Sequence, residues 1–186
     1  MHLITLLAVC IAAVAASPET FEPSQRIVGG AVTTINQWPY QANVLAGSGN
    51  NFRQWCGGTI INNRSILSAA HCVRTSNHNL GAHQTRLRLG STWANSGGVV
   101  HNVAQLILHP SYNIWTTDSD VMILRSSSTI VYSNVIQRGS IASPNYNLHD
   151  NQVVWVTGWG AQWFQGPASE QLRQLLPLPH ESSNHL

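Results

Sequence analysis

The chain has 186 residues, 43% of them hydrophobic, with 9 Arg, no Lys, 7 acidic residues and a formal net charge of +2. Charged residues make up 9%, against roughly 25% in an average soluble protein, which excludes a disordered tail and a coiled coil. A net charge this small, without an arginine cluster, offers no surface that tracks phosphates, so no nucleic-acid partner is expected.

The polar character comes from 16 Asn and 19 Ser, residues that favour turns and short strands over long helices. The length suits one domain, or two small halves of one.

Residues 1–16 form an apolar run ending in Ala12, Ala13, Ala15 and Ala16. The run is shorter than the about 20 residues that span a bilayer. It reads as a secretory signal peptide; a buried N-terminal helix is the alternative. No other stretch is apolar enough to span a membrane, so the mature chain is expected to be soluble, secreted and extracellular. Cations supplied by Arg alone stay charged in alkaline fluid such as a gut lumen; codon bias explains the same pattern.

Residues 17–26 hold Pro18, Pro23, Glu19 and Glu22 and little to bury, so they read as an exposed leader. It ends at Arg26, before Ile27-Val28-Gly29-Gly30. A cut after Arg26 would free a movable α-amino terminus and leave 8 Arg against 5 acids, a net charge of +3.

Cys10 leaves with the signal peptide, and Cys56 and Cys72 remain. In an oxidising compartment such a pair is most simply a disulfide. Zinc is the rival, although two Cys at this spacing without a matched His pair make a poor site.

From Ile27 the pattern is β. Short apolar or alternating runs cover 40–45, 56–61, 65–68, 86–89, 99–108 and 121–124, separated by loops of Gly, Asn and Ser. They suggest an all-β barrel or sandwich. Arg86-Leu87-Arg88-Leu89 alternates as a strand with one wet face does.

Two segments carry candidate chemistry. In Ser68-Ala69-Ala70-His71-Cys72 a histidine follows a strand, beside small residues and a cysteine. In Asp118-Ser119-Asp120-Val121-Met122-Ile123-Leu124 a carboxylate stands at the mouth of an apolar strand. A buried carboxylate is costly unless its charge is met. A His donating its ring N–H would meet it, and the other ring nitrogen would become a base. The remaining histidines show no metal spacing and read as solvent-facing. A second β segment begins at Val153-Val154-Trp155-Val156-Thr157. Residues 175–186, with Pro177 and Pro179, read as an unstructured tail, because each proline denies a ladder one N–H.

With these segments in order, the chain resembles the trypsin/chymotrypsin-like serine endopeptidases, especially the digestive trypsins of insect larvae. The matching pieces are Arg26 to Gly30, Trp38-Pro39-Tyr40-Gln41, Cys56-Gly57-Gly58-Thr59-Ile60-Ile61, Ser68 to Cys72, His109-Pro110-Ser111-Tyr112, Asp120 to Leu124 and Gly158-Trp159-Gly160. The resemblance implies a double β-barrel: one near-complete six-stranded barrel over about 27–140, then a second, truncated one. It implies His71 as general base and Asp120, rather than Asp118, as its orienting acid. It also implies a Cys56–Cys72 bridge and an Arg26–Ile27 bond cut to activate a zymogen.

The organisation expected is a signal peptide (1–16), an activation peptide (17–26), a partial protease domain (27–174) and a divergent tail (175–186). No cofactor or metal is implied. The implied partners are protein or peptide substrates cut after Arg or Lys, protease inhibitors and an activating trypsin-like protease.

The chain departs from the family in one respect. The nucleophilic serine of the family lies in a Gly-Asp-Ser-Gly-Gly segment far downstream of the acid, and these residues contain none. Asn95-Ser96-Gly97-Gly98 precedes Asp120 and reads as a turn. The expectation is therefore a chain inactive as written. The alternatives are a non-catalytic homologue that binds a partner or inhibitor, and a non-functional truncated product. Asn63-Arg64-Ser65 is a glycosylation acceptor pattern, expected to be poorly accessible between two barrel strands.

Overall fold

The structure is a computed structural model that describes residues 30–149, 152–175 and the backbone of 178–179. Six strands form its main body: β2 (Gln41–Ser48), β3 (Asn51–Asn62), β4 (Ser65–Ser68), β5 (Thr85–Leu89), β6 (Val99–Leu108) and β7 (Met122–Ser126). They close a barrel in the order β2-β3-β4-β7-β6-β5, each neighbouring pair antiparallel. Closure leaves this sheet without edges.

The inward positions are the apolar members of each alternation. Val44, Ile60, Ile66, Leu87, Leu89, Met122 and Leu124 are buried in one core with Cys56 and Cys72. Each full burial of a side chain of this size stabilises by about 1.5–3 kcal/mol. The Arg-Leu alternation of β5 holds: Leu87 and Leu89 face inward, while Arg86 and Arg88 are half-buried on the other face. The Arg86 guanidinium lies 4.0 Å above the Phe52 ring, a cation–π contact.

Strands β2 and β3 run longer than the apolar windows 40–45 and 56–61. Pairing continues out to Ser48 and Asn51 past a register shift at Val44/Leu45, and Gly49 turns the hairpin at φ +59°. A bulge redirects the side chains there, so the period-2 signal fades while the ladder persists. The β3–β4 turn is two residues, Asn63 and Arg64, between the paired Asn62 and Ser65. Asn63 is exposed at the tip of the hairpin while Ser65 is buried, so the poor accessibility expected of the acceptor pattern holds for its hydroxyl residue and not for its asparagine.

Asn95 to Gly98 is the turn read from its composition. Gly97 and Gly98 have φ of +67° and +61°, and a Cβ on Gly98 would sit 2.3 Å from the Leu89 carbonyl oxygen. The Gly pair is thus required by the backbone between β5 and β6.

The smaller part contains β1 (Ala31–Val32), β8 (Val153–Val154), β9 (Thr157–Gly158), β10 (Arg173–Gln174) and β11 (Leu178–Pro179). Strands β1, β10 and β9 form one antiparallel sheet, and β8 pairs with β11. Ile35, Ala94, Trp159 and Leu172 form a second buried cluster. Trp159 Nε1–H donates to the Thr92 carbonyl at 3.0 Å, and Thr157 Oγ1–H donates to Gln41 Oε1 of the barrel at 2.6 Å. The expected continuous strand over 153–157 is interrupted at Trp155 and Val156. The segment expected to be an unstructured tail supplies β11: Pro179 lacks an N–H, yet one two-residue pair needs few of them. Residues 176, 177 and 180–186 of that tail, the leader, the signal segment, Arg26 and Ile27 lie outside the described residues. Among the described residues no helix is long and apolar enough to cross a membrane.

Two histidines expected to face solvent do not. His78 is half-buried, and His101 on β6 is only 7% exposed, with Nδ1 2.9 Å from Ser128 Oγ. Burial pushes the His101 imidazole below its ordinary range, because the charged form is penalised. A folded-state pKa below the unfolded value makes protonation favour unfolding. The contribution is therefore complete above about pH 6.5 and is lost as pH falls from there towards the folded-state value. Thermal melts should show Tm falling as pH is lowered below about 6.5, with a shallower fall in His101→Gln. Identical pH profiles for the two proteins would refute this role.

Candidate active site

The site is set by one register. Ser68, the last residue of β4, pairs with Met122, the first of β7. His71 lies three residues beyond Ser68, and Asp120 lies two before Met122. Antiparallel pairing therefore brings them to the same end of the barrel.

Past Ser68 the chain enters a 3₁₀ turn, Ala70–Cys72, with Ala70 and Cys72 buried. The intervening His71 has a side chain 35% exposed. The small residues Ala69 and Ala70 let the turn pack against the core. Cys72 is bonded to Cys56 of β3, with Cα atoms 6.1 Å apart and a sequence separation of 16, so the turn is tied to a second strand. Ser68 Oγ–H donates to the Gly57 carbonyl at 2.7 Å, a further tie to β3. Cys56, His71 and Cys72 have potential ligand atoms within 4.8 Å of one another. The bridge consumes both thiolates that zinc would require, so the chemistry of this group does not fit a metal.

Asp120 reaches His71 twice. Its Oδ2 lies 2.6 Å from His71 Nδ1, and its Oδ1 accepts the His71 backbone N–H at 2.8 Å. An ionised carboxylate only accepts, so Nδ1 carries the proton and Nε2 is left with a lone pair. Charge-assisted bonds of this kind are about twice as strong as neutral ones. The loop before Asp120 has Thr117 and Ser119 at φ of 59° and 57°, a region that costs a non-glycine residue roughly 1–2 kcal/mol. Asp118 is exposed, and its carboxylate accepts the Thr116 hydroxyl at 2.6 Å. Of the two acids, the structure brings Asp120 to His71.

Sequence reasoning missed the residues behind the histidine. Thr75 Oγ1 accepts the backbone N–H groups of Asn77 and His78, so its own proton is donated to His78 Nδ1 at 3.1 Å. His78 Nε2–H then donates to the His71 carbonyl at 3.1 Å. Trp55 meets the His78 ring edge-on at 5.6 Å and donates Nε1–H to the Cys72 carbonyl at 2.6 Å. The signal available was the Thr75-Ser76-Asn77-His78 run, a hydroxyl turn closed on itself.

Tyr112 donates its hydroxyl to the Arg74 carbonyl at 2.8 Å. Burial raises the Tyr112 phenol above its ordinary value, and the negative charge of Asp120 adds to the rise, against an opposing effect of Arg74. Arg74, Tyr112 and neighbouring residues 108–114 line an open groove of about 460 Å³. Ser96 lies in the β5–β6 connection, exposed, with its carbonyl accepting the Ser91 hydroxyl at 2.7 Å.

Residues 27–179 match the Trypsin family. The chain belongs to the trypsin family. Over 174 residues it is 54% identical to Trypsin CFT-1 of Choristoneura fumiferana, an alignment covering 92% of this chain and 65% of that one. Over 173 residues it is 50% identical to Trypsin, alkaline C, of Manduca sexta, with the same shares. Among solved structures, the scabies mite inactivated protease paralogue S-D1 superimposes with a TM-score of 0.70 at 21% identity. It covers 80% of this chain and 60% of that one, a likeness that shows the fold. The similarity to insect trypsins and the trypsin-like fold are thus established. This trypsin-family chain spans 65% of the length of both insect relatives, just under two thirds.

Proposed function

We propose that the chain supplies the base and orienting acid of a secreted trypsin-like serine endopeptidase, with His71 as general base and Asp120 as its partner. The observation that carries this reading is the double attachment of Asp120 to His71, through ring and backbone. The geometry suits a nucleophilic hydroxyl whose proton passes to His71 Nε2. Asp120 would stabilise the imidazolium formed and hold the ring for return of the proton to the leaving amine. The substrates would be proteins or peptides cleaved after Arg or Lys. The chain would be a zymogen cut between Arg26 and Ile27 by a trypsin-like protease and open to protease inhibitors. The Arg-only cations suit an alkaline gut lumen, as does a His101 that stabilises best when neutral.

The nucleophilic serine segment, the oxyanion amides and the specificity pocket of the family are not among these 186 residues. Residues 27–186 by themselves should therefore not hydrolyse an Arg ester above buffer. The test is a chimera in which residues 1–175 are followed by the C-terminal portion of Trypsin CFT-1. After mild trypsin treatment and removal of the trypsin, the chimera should begin at Ile27 and turn over the ester. Turnover by residues 27–186 of verified mass, or an inert chimera that begins at Ile27 and folds, would contradict the proposal.

A further inference from the structure

We propose that Asn63 is an N-glycosylation site of the secreted chain, and that it is filled only before the barrel closes. The acceptor pattern Asn63-Arg64-Ser65 has no proline at its middle position. The tip of the β3–β4 hairpin carries both Asn63 and Arg64 exposed. The backbone there is fixed: the Asn63 carbonyl accepts the Ile130 N–H at 2.8 Å, and the Arg64 carbonyl accepts that of Ser126 at 2.8 Å. A glycan on the Asn63 side chain displaces none of these bonds. Four residues of β4 separate this tip from the His71 end, roughly 10 Å of strand. The sugar would project from the opposite end of β4 to the catalytic pair and leave that end open.

The timing follows from Ser65. Transfer to such a pattern requires its hydroxyl residue to be accessible together with the asparagine. In the fold Ser65 is 3% exposed, and its Oγ accepts Arg125 Nη1–H at 3.3 Å across the β4–β7 ladder. The folded chain therefore presents the nucleophile and hides its companion. The extended chain presents both. In the transfer, the Asn63 amide nitrogen forms a bond to the anomeric carbon of a lipid-linked oligosaccharyl pyrophosphate. The anomeric C–O bond breaks, the lipid pyrophosphate leaves with the electron pair, and the amide loses one proton.

This inference rests on entry into the secretory pathway, so the experiment secures that entry separately. Residues 17–186 are expressed in insect cells behind a signal peptide of proven efficiency. Protein from the medium or the cell lumen is digested and its peptides are read by mass. The peptide spanning Asn63 should carry an N-linked core glycan, lost in Asn63→Gln and retained in Asn62→Gln. An unmodified Asn63 peptide from lumenal protein would overturn the site whether or not residues 1–16 direct export. In a second arm, the purified unglycosylated chain is incubated with microsomal transferase and lipid-linked donor. The reduced, denatured chain should be labelled and the oxidised, folded chain should not. Equal labelling of both would overturn the timing.

Discussion

In the activated chimera, Asp120→Asn should lower kcat by about 10⁴-fold, the loss seen when the acid of a serine-protease triad becomes an amide. The amide would offer an N–H to His71 Nδ1 and favour the wrong tautomer, with the proton on the nitrogen that must act as base. KM should change little, because Asp120 bonds to His71 and is assigned no substrate contact. His71→Ala removes the base itself and should cost about 10⁶-fold. Asp118→Asn is the control. That residue is exposed and bonded to Thr116, and a surface substitution of this kind shifts energies by about 0.5 kcal/mol or less. Steady-state kinetics on the three variants decides the assignment. A large loss in Asp118→Asn with none in Asp120→Asn would reverse it.

The second large effect is on stability. Replacing Cys56 and Cys72 together by Ala should cost about 3 kcal/mol, given the 16-residue separation that the bridge closes. For a domain of this size that is a Tm lower by about 6–12 °C. The loss should reach the site, because Cys72 ends the 3₁₀ turn that carries His71, and its carbonyl holds the Trp55 indole. The double variant in the chimera should therefore lose kcat even at temperatures where it remains folded. Thermal melts of both proteins under non-reducing conditions measure the first part. Coincident melting curves would show that the barrel does not need the bridge.

The barrel was legible because β5 and β7 alternate cleanly and the other strands read as short apolar runs between turns. Arg86 to Leu89 states its own inward and outward faces, and the runs 65–68 and 99–108 coincide with β4 and β6. The site was legible for a related reason. His71 and Asp120 each stand at the end of an apolar strand, where a polar residue needs a stated purpose. Their pairing depends on the register between β4 and β7, which only the fold provides. The outer ladder of β2 and β3 was not legible, since a bulge breaks the alternation that announces a strand. The roles of His78 and His101 were hidden too. Nothing local distinguishes a histidine buried beside Ser128 from an exposed one, and the Thr75 to His78 run signals a closed turn without naming the His71 carbonyl as its partner. Strand β11 escaped notice because two prolines argue against a ladder, although a single short pair tolerates one of them.

The chain's central feature is a His–Asp couple assembled at one end of the barrel, and proton NMR of residues 27–186 tests it most directly. The His71 Nδ1 proton, held between nitrogen and carboxylate over 2.6 Å, should appear as a single resonance far downfield of the amide envelope. It should be absent from Asp120→Asn and His71→Ala and unchanged in Asp118→Asn. A downfield resonance that survives Asp120→Asn, or none at all in the folded parent chain at low temperature, would contradict the assembled couple.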